Sequence, residues 1–395
     1  MNRCIEEVET IITHYAEERE KYQGAVVPPI YQNSLFTFKD YDEIEDVFSG
    51  KCQKHLYSLM SNPTVEILEK KIAAMANAEA AVVMGSGMAA ISNAIMSFVK
   101  KDSHVITIKN LYNPTNKFFN NYLKEKMGVE VDFIEGTSIK EFEEHLKDNT
   151  CLIYLESPST AVFKLQDIEE VVKLAKPRNI KVVIDNTWAT PLYQRCIEMG
   201  VDLEIHALSK YINGHSDVIG GVIIGKSEYI NNIRENELPL YGGKLGPFES
   251  WLVLRGLRTL PARLKIHQEN TKEIVEFLDS HPKVKFVNHP ISKYFPQKEL
   301  AMKQMKGYTG LLSFEIDTDL EGVKRFLNNL KYFKIGVSWG GYESLAFVPN
   351  IAITNELSEE QIRDLNISVG IIRINVGLEN IKDLIRDLSD SLDVI

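Results

Sequence analysis

Between about Ala80 and Gly225 the chain alternates short apolar runs with longer stretches of helical spacing. The runs are Ala81–Met84, Val105–Ile108, Val129–Ile134, Leu152–Leu155, Val182–Ile184, Leu203–Ala207 and Val222–Ile224. Most are continuously apolar, as strands covered on both faces must be, and their alternation with helices predicts βα units and a mostly parallel seven-stranded sheet. Ahead of this block, Asn62-Pro63-Thr64 predicts a helix start, with Asn62 capping free N–H groups and Pro63 in the first turn. Past Leu260 the pattern loosens into a smaller α+β region, with a strand at Leu311–Ile316. Its last helix places Ile381, Leu384, Ile385, Leu388 and Leu392 on one face. The expected organisation is an N-terminal arm over 1–61, a large α/β domain over 62–258 and a small C-terminal domain over 259–395.

Composition changes this picture little. The 395 residues are 44% hydrophobic and 25% charged, enough apolar content for two cores. A net charge of −10, with no Lys/Arg run, argues against nucleic acid as a partner. Cys4, Cys52, Cys151 and Cys196 are widely spaced, which speaks against a disulfide scaffold or zinc ribbon and fits a reducing cytoplasm. Cys52-x-x-His55 lacks a second half, so no metal is expected. The first residues are acidic, without an apolar signal core. Ala80–Val99 is uncharged and long enough to span a bilayer. Its Gly85, Ser86, Gly87, Ser92 and Asn93 make it read as strand, turn and helix in a buried core instead, so no membrane association is expected.

Three positions carry candidate chemistry. Gly85-Ser86-Gly87-Met88 lies between a strand and a helix, where a tight turn aims N–H groups at an anion. With Ala90 it satisfies a dinucleotide fingerprint, but the next strand ends in Lys109-Asn110 without the acid that would hold a ribose, which disfavours a nicotinamide enzyme. Asp185 ends one apolar run at the sheet edge where ligands bind. Lys210 follows another, beside Ser209. Each alone also reads as a connecting turn, a cap or a solvated lysine. Together they supply what pyridoxal phosphate needs: N–H donors for its phosphate, an anion for its ring nitrogen and an amine for its aldehyde.

At these residues the sequence resembles the pyridoxal-phosphate enzymes of cysteine and methionine metabolism. The carrying motifs are Tyr57-Ser58 with Asn62-Pro63-Thr64, Gly85–Met88, Glu156-Ser157-Pro158 and Asp185–Ala189. They continue with Ser209-Lys210-Tyr211 and Gly214–Asp217, then Arg255–Leu260 and Arg373–Glu379. The resemblance implies the type I aminotransferase-like fold assembled as a homotetramer of tight dimers. It implies that Lys210 binds the cofactor covalently and shuttles protons, Asp185 pairs with the ring nitrogen and Tyr112 stacks on the ring. Backbone N–H groups of Gly87 and Met88 and the Ser209 hydroxyl would hold phosphate. Arg373 would bind the substrate carboxylate with Ser338 and Trp339 lining the pocket, and Tyr57 would reach in from a neighbouring subunit.

Ser338-Trp339-Gly340-Gly341-Tyr342-Glu343-Ser344-Leu345, Ala207 and Tyr112-Asn113-Pro114 are similar to the bacterial cystathionine β-lyase branch. That branch implies carbon–sulfur bond cleavage by β-elimination, giving homocysteine, pyruvate and ammonia from cystathionine. A γ-acting relative such as a methionine γ-lyase or a cystathionine γ-synthase-like enzyme, an amino-acid racemase, and a non-catalytic cofactor-binding regulatory protein stay open beside it. One departure stands out. Two residues after Tyr57 the family usually has a phosphate-gripping Arg, and here it is Leu59, a loss of about 1.5–3 kcal/mol of cofactor binding unless Lys51 or Lys54 compensates.

Overall fold

The computed structural model describes residues 7–351 and 368–395. Cys4 and the acidic start before Glu7 lie outside them. The described residues form two sheets. The first holds β1 (Ala80–Met84), β2 (His104–Ile108), β3 (Glu130–Ile134), β4 (Thr150–Glu156), β5 (Lys181–Asp185), β6 (Leu203–Ala207) and β7 (Gly221–Gly225). Their spatial order is β1-β7-β6-β5-β4-β2-β3, with β7 antiparallel to both neighbours and the other pairings parallel. All seven expected runs are strands, and the sheet is mostly parallel as their two-sided apolarity requires. Val82, Val105, Leu152, Val183, Leu203 and Ile223 pack with Ile91 and Ala94 of the Gly87–Met96 helix on one face. Ile106, Ile153, Val182 and Ile184 pack with Ile168 and Val171 on the other.

Capping explains where the key helices begin. Asn62 Oδ1 accepts from the Thr64 N–H (3.0 Å), and Pro63 opens the Pro63–Met75 helix. Ser86 is the cap of the Gly87–Met96 helix, its hydroxyl accepting from the Ala89 N–H (3.0 Å). The uncharged Ala80–Val99 segment is therefore strand, turn and a buried ten-residue helix. Among the described residues no helix is long and apolar enough to cross a membrane.

The second sheet runs β10 (Lys334–Ile335), β11 (Leu345–Phe347), β12 (Ile371–Asn375), β9 (Leu311–Ile316), β8 (Val284–Asn288). The Leu260–Ser280 and Ile381–Asp393 helices cover it. Leu384, Leu388 and Leu392 are fully buried there, each burial stabilising by about 1.5–3 kcal/mol. The N-terminal region carries short helices at Val8–His14 and Tyr41–Phe48 and leaves Val26, Leu35 and Tyr57 exposed. Glu17 ties it down, since its buried carboxylate meets Lys71 (3.0 Å), Arg258 (2.9 Å) and Arg19 (3.0 Å).

Candidate active site

Parallel strands deliver their carboxyl ends to one edge of a sheet, and β4, β5 and β6 end there side by side. Glu156 closes β4 directly opposite Asp185, which closes β5, and Ala207 closes β6. The Gly87–Met96 helix points its N-terminus at the same edge. Lys210 follows β6 after two residues, and the small domain lays Ser338, Trp339 and Arg373 across the gap. The result is a cleft of about 220 Å³ whose lining includes Gly87, Met88, Tyr112, Asp185, Ser209 and Lys210.

The cradle follows from backbone geometry. The N–H groups of Gly87 and Met88, first in their helix, have no partner among the described residues, while the next one is satisfied by Ser86. A side chain at Gly87 would bring its Cβ to 3.1 Å from Ala207 Cβ, and one at Gly221 would come to 2.3 Å from the Ser86 carbonyl oxygen. Glycine at both positions keeps this turn close to the sheet. The Ser209 hydroxyl borders the cradle and accepts from the Gly220 N–H (3.1 Å).

Asp185 receives two hydrogen bonds at Oδ1, from the Thr187 N–H (2.9 Å) and the Thr187 hydroxyl (2.5 Å). That hydroxyl in turn accepts from the Ala207 N–H (2.8 Å), so it bridges β5 and β6. Glu156 accepts from the Tyr112 N–H (2.8 Å) and the Thr160 hydroxyl (2.5 Å). Burial and the adjacent Asp185 charge push Glu156 up to about 8. Burial also raises Asp185, opposed by its bonds from Thr187 and by the nearby His206 and Lys210. Two carboxyls in register cannot both ionise cheaply, so Glu156 holds the proton and Asp185 the charge. A cationic ring nitrogen at this edge would meet an anion at Asp185.

The Lys210 Nζ donates to Ser338 Oγ (2.8 Å) and lies 4.9 Å from the Trp339 ring centroid. Burial first, then Arg373, bring this amine down to about 8. About a tenth is thus unprotonated at pH 7, where an ordinary lysine is almost wholly protonated, and that fraction is the nucleophile an aldehyde needs. Arg373 donates to the Val337 carbonyl (2.7 Å) and stacks over Phe347, leaving the rest of its guanidinium at the cleft. Cradle, anion and amine fit the three functional groups of pyridoxal phosphate.

Of the residues singled out from sequence, Tyr112, Gly87, Met88, Asp185, Ser209, Lys210, Trp339 and Arg373 line this cleft, and Ser338 touches it through Lys210. Tyr57 does not line it. Its side chain is about half exposed on the arm, paired by backbone with Leu35. Lys51 bonds Asp46 (3.1 Å) and Lys54 bonds Glu43 (2.7 Å), so both lysines that could stand in for the missing Arg are engaged within the arm. Glu156 and Thr187 were missed as site residues. Their signal was present in the carboxyl-end position of Glu156 and in the placement of Thr187 two residues after Asp185.

The description "Cys/Met metabolism PLP-dependent enzyme" matches residues 9–393. The chain is 38% identical to the L-methionine gamma-lyase of Fusobacterium nucleatum subsp. nucleatum over 374 residues, covering 94% of each. It is 34% identical to the cystathionine beta-lyase of Coxiella burnetii over 386 residues, covering 98% of this chain and 97% of that one. A crystal structure of an O-acetylhomoserine (thiol)-lyase from Campylobacter jejuni superposes with a TM-score of 0.93 at 28% identity. It covers 98% of this chain and 100% of that one, and carries a pyridoxyl-lysine phosphate. These relatives span γ- and β-acting enzymes, so they carry the cofactor and the carbon–sulfur lyase class but not which bond is cut. The chain belongs to the pyridoxal-phosphate-dependent enzymes of cysteine and methionine metabolism, and its cofactor is pyridoxal phosphate.

Proposed function

We propose that this protein is a β-eliminating carbon–sulfur lyase acting on cystathionine or a related S-substituted cysteine. With water consumed, the products are a thiol, pyruvate and ammonia, the thiol being homocysteine when cystathionine is the substrate. When bound, pyridoxal phosphate supplies an electron sink that stabilises negative charge at the substrate Cα. Arg373 pairs with the substrate carboxylate and sets its orientation. The Lys210 amine would take the substrate Cα proton. Asp185 holds the negative charge that keeps the ring nitrogen protonated, and Tyr112 covers the ring at the open side of the cleft. Gly87, Met88 and Ser209 hold the phosphate, and Trp339 with Ser338 walls the substrate side.

The carrying observation is the confinement of Lys210 between the Ser338 hydroxyl and the Trp339 ring. β-Elimination asks the amine to remove one proton, at Cα, whereas γ-elimination asks it to reach Cβ as well. An amine pinned from two sides suits the shorter task. Incubation with cystathionine and product identification by mass tests this. Homocysteine with pyruvate supports the proposal; cysteine with 2-oxobutyrate moves the reaction to the γ-carbon. The 38% identity to a methionine gamma-lyase favours methionine cleavage as the second reading, visible as methanethiol and 2-oxobutyrate from methionine.

We infer further that the working unit is a cytoplasmic homotetramer acting on small amino acids. The exposed apolar arm around Val26, Leu35 and Tyr57 supports burial against a second copy, with Tyr57 completing a neighbour's cleft.

A further inference from the structure

The loop between β10 and β11 carries Ser338 and Trp339 over Lys210, and its anchoring is uneven. On the small-domain side it is bonded repeatedly. Asn375 Oδ1 accepts from the Gly340 N–H (2.9 Å) and Asn375 Nδ2 donates to the Glu343 carbonyl (2.7 Å). Glu379 accepts from both the Ser344 N–H and the Ser344 hydroxyl, each at 2.8 Å. Toward Lys210, besides the Ser338 and Trp339 contacts already described, the loop makes two contacts of a different kind. Gly340, at φ +81°, packs so closely that a Cβ there would lie 2.9 Å from Tyr211 N and 3.0 Å from Lys210 Cβ. Beside it the Ser216 hydroxyl donates to Glu343 Oε1 (2.5 Å), joining the segment after Lys210 to the loop.

The second oxygen, Glu343 Oε2, is buried and has no hydrogen-bond partner among the described residues. A buried carboxylate oxygen without a partner is costly and calls for a functional reason. The carboxylate acts on the neighbouring amine: Arg373 opposes a proton on Lys210, while Asp185 and Glu343 favour one. We propose that Glu343, locked by the Ser216 hydroxyl, is a positioning residue that clamps the Ser338–Trp339 loop over Lys210 and holds a negative charge beside that amine. The inference rests on Lys210 being the cofactor-bearing amine and is independent of which carbon–sulfur bond is cut.

The test uses holoenzyme and no substrate. Glu343→Gln removes the charge and keeps the shape, while Ser216→Ala removes the latch and keeps the charge. Two quantities are read: the pH midpoint of the visible absorption of the lysine-bound cofactor, and the rate at which hydroxylamine strips that cofactor. Ser216→Ala should be stripped at least about fivefold faster, because the loop no longer shields the linkage, whereas the amide oxygen of Glu343→Gln still accepts the Ser216 hydroxyl and should keep stripping within about twofold of wild type. Only Glu343→Gln should lower the midpoint, by about half a pH unit or roughly threefold in acid constant, since a lost anion disfavours the protonated nitrogen. Ser216 is exposed, so its variant will fold and keeps the proposal testable. A wild-type stripping rate in Ser216→Ala, or an unmoved midpoint in Glu343→Gln, overturns the clamp. A wild-type protein without any lysine-bound band instead removes the assignment of Lys210 itself.

Discussion

Replacing Thr187 by Val tests how the site keeps Asp185 ionised. The side chain is nearly isosteric, and Thr187 is buried, so little else changes. Two hydrogen bonds go: the 2.5 Å bond to Asp185 and the 2.8 Å bond from the Ala207 N–H. A hydrogen bond to a charged group contributes about 1.5–3 kcal/mol, and an orphaned buried N–H costs about 1–3 kcal/mol. The second loss is paid in stability by apo and holo forms alike. The first falls on the ionised state of Asp185 and therefore on its attraction for a protonated ring nitrogen. The Thr187 N–H bond to Asp185 (2.9 Å) survives, so we take the low end, about 1.5 kcal/mol, or roughly tenfold weaker cofactor binding. Thr187→Ser retains the hydroxyl and should stay within about twofold of wild type. Cofactor titration by absorbance, with apoprotein melting followed in parallel, separates the two effects. If Thr187→Val melts earlier yet binds the cofactor as tightly as Thr187→Ser, then Thr187 only braces β5 against β6, and the electrostatic argument is wrong.

Other consequences follow from the same geometry. Gly221→Ala would drive a Cβ to 2.3 Å from the Ser86 backbone oxygen, so it should lower the melting temperature by several degrees and weaken cofactor uptake, measured by calorimetry and titration. Because Lys210 sits at about 8, apoprotein should capture the cofactor about tenfold faster for each pH unit gained up to that value and then level off, as stopped-flow absorbance would show. A flat profile from pH 6 to 8 would contradict the depressed amine. Burial takes His267 down to about 4 and His289 down to about 3, against an ordinary value of 6.5. The unfolded chain then binds more protons below pH 6.5. Stability should fall as pH drops from about 6.5 toward 4, by up to about 1.4 kcal/mol per unit for each histidine, visible as a lower urea midpoint at pH 5 than at pH 7.

Much of the large domain was legible because its information is local. Seven apolar runs became β1–β7, with boundaries moved by at most two residues, since a strand covered on both faces must be apolar wherever it is read. Asn62 and Pro63 marked a helix start through the needs of its own first turn. Lys210, Asp185 and the Gly85–Met88 turn could be picked out because cofactor chemistry requires those residue types at strand ends. The polar members of these strands show the limit of such reading. Glu204 and His206 lie buried inside β6, bonded to each other at 2.8 Å, with Glu204 also accepting from Asn186 (2.7 Å). No apolar pattern foretells that two polar side chains of one strand satisfy each other, or that Asn186, just past β5, joins them.

What the fold alone decided are the distances that set charge. Asp185 and Glu156 become neighbours that feel each other's charge only through the register of β4 on β5. Ser338 meets Lys210 across 128 positions of chain, and Glu343 meets Ser216 across 127. The amino-acid sequence by itself carried the strand-and-helix order, the family resemblance and Lys210 as the candidate amine. The tertiary structure decided which carboxyl carries the proton and what confines that amine, because desolvation and Coulomb energy depend on separation in space and not on spacing along the chain.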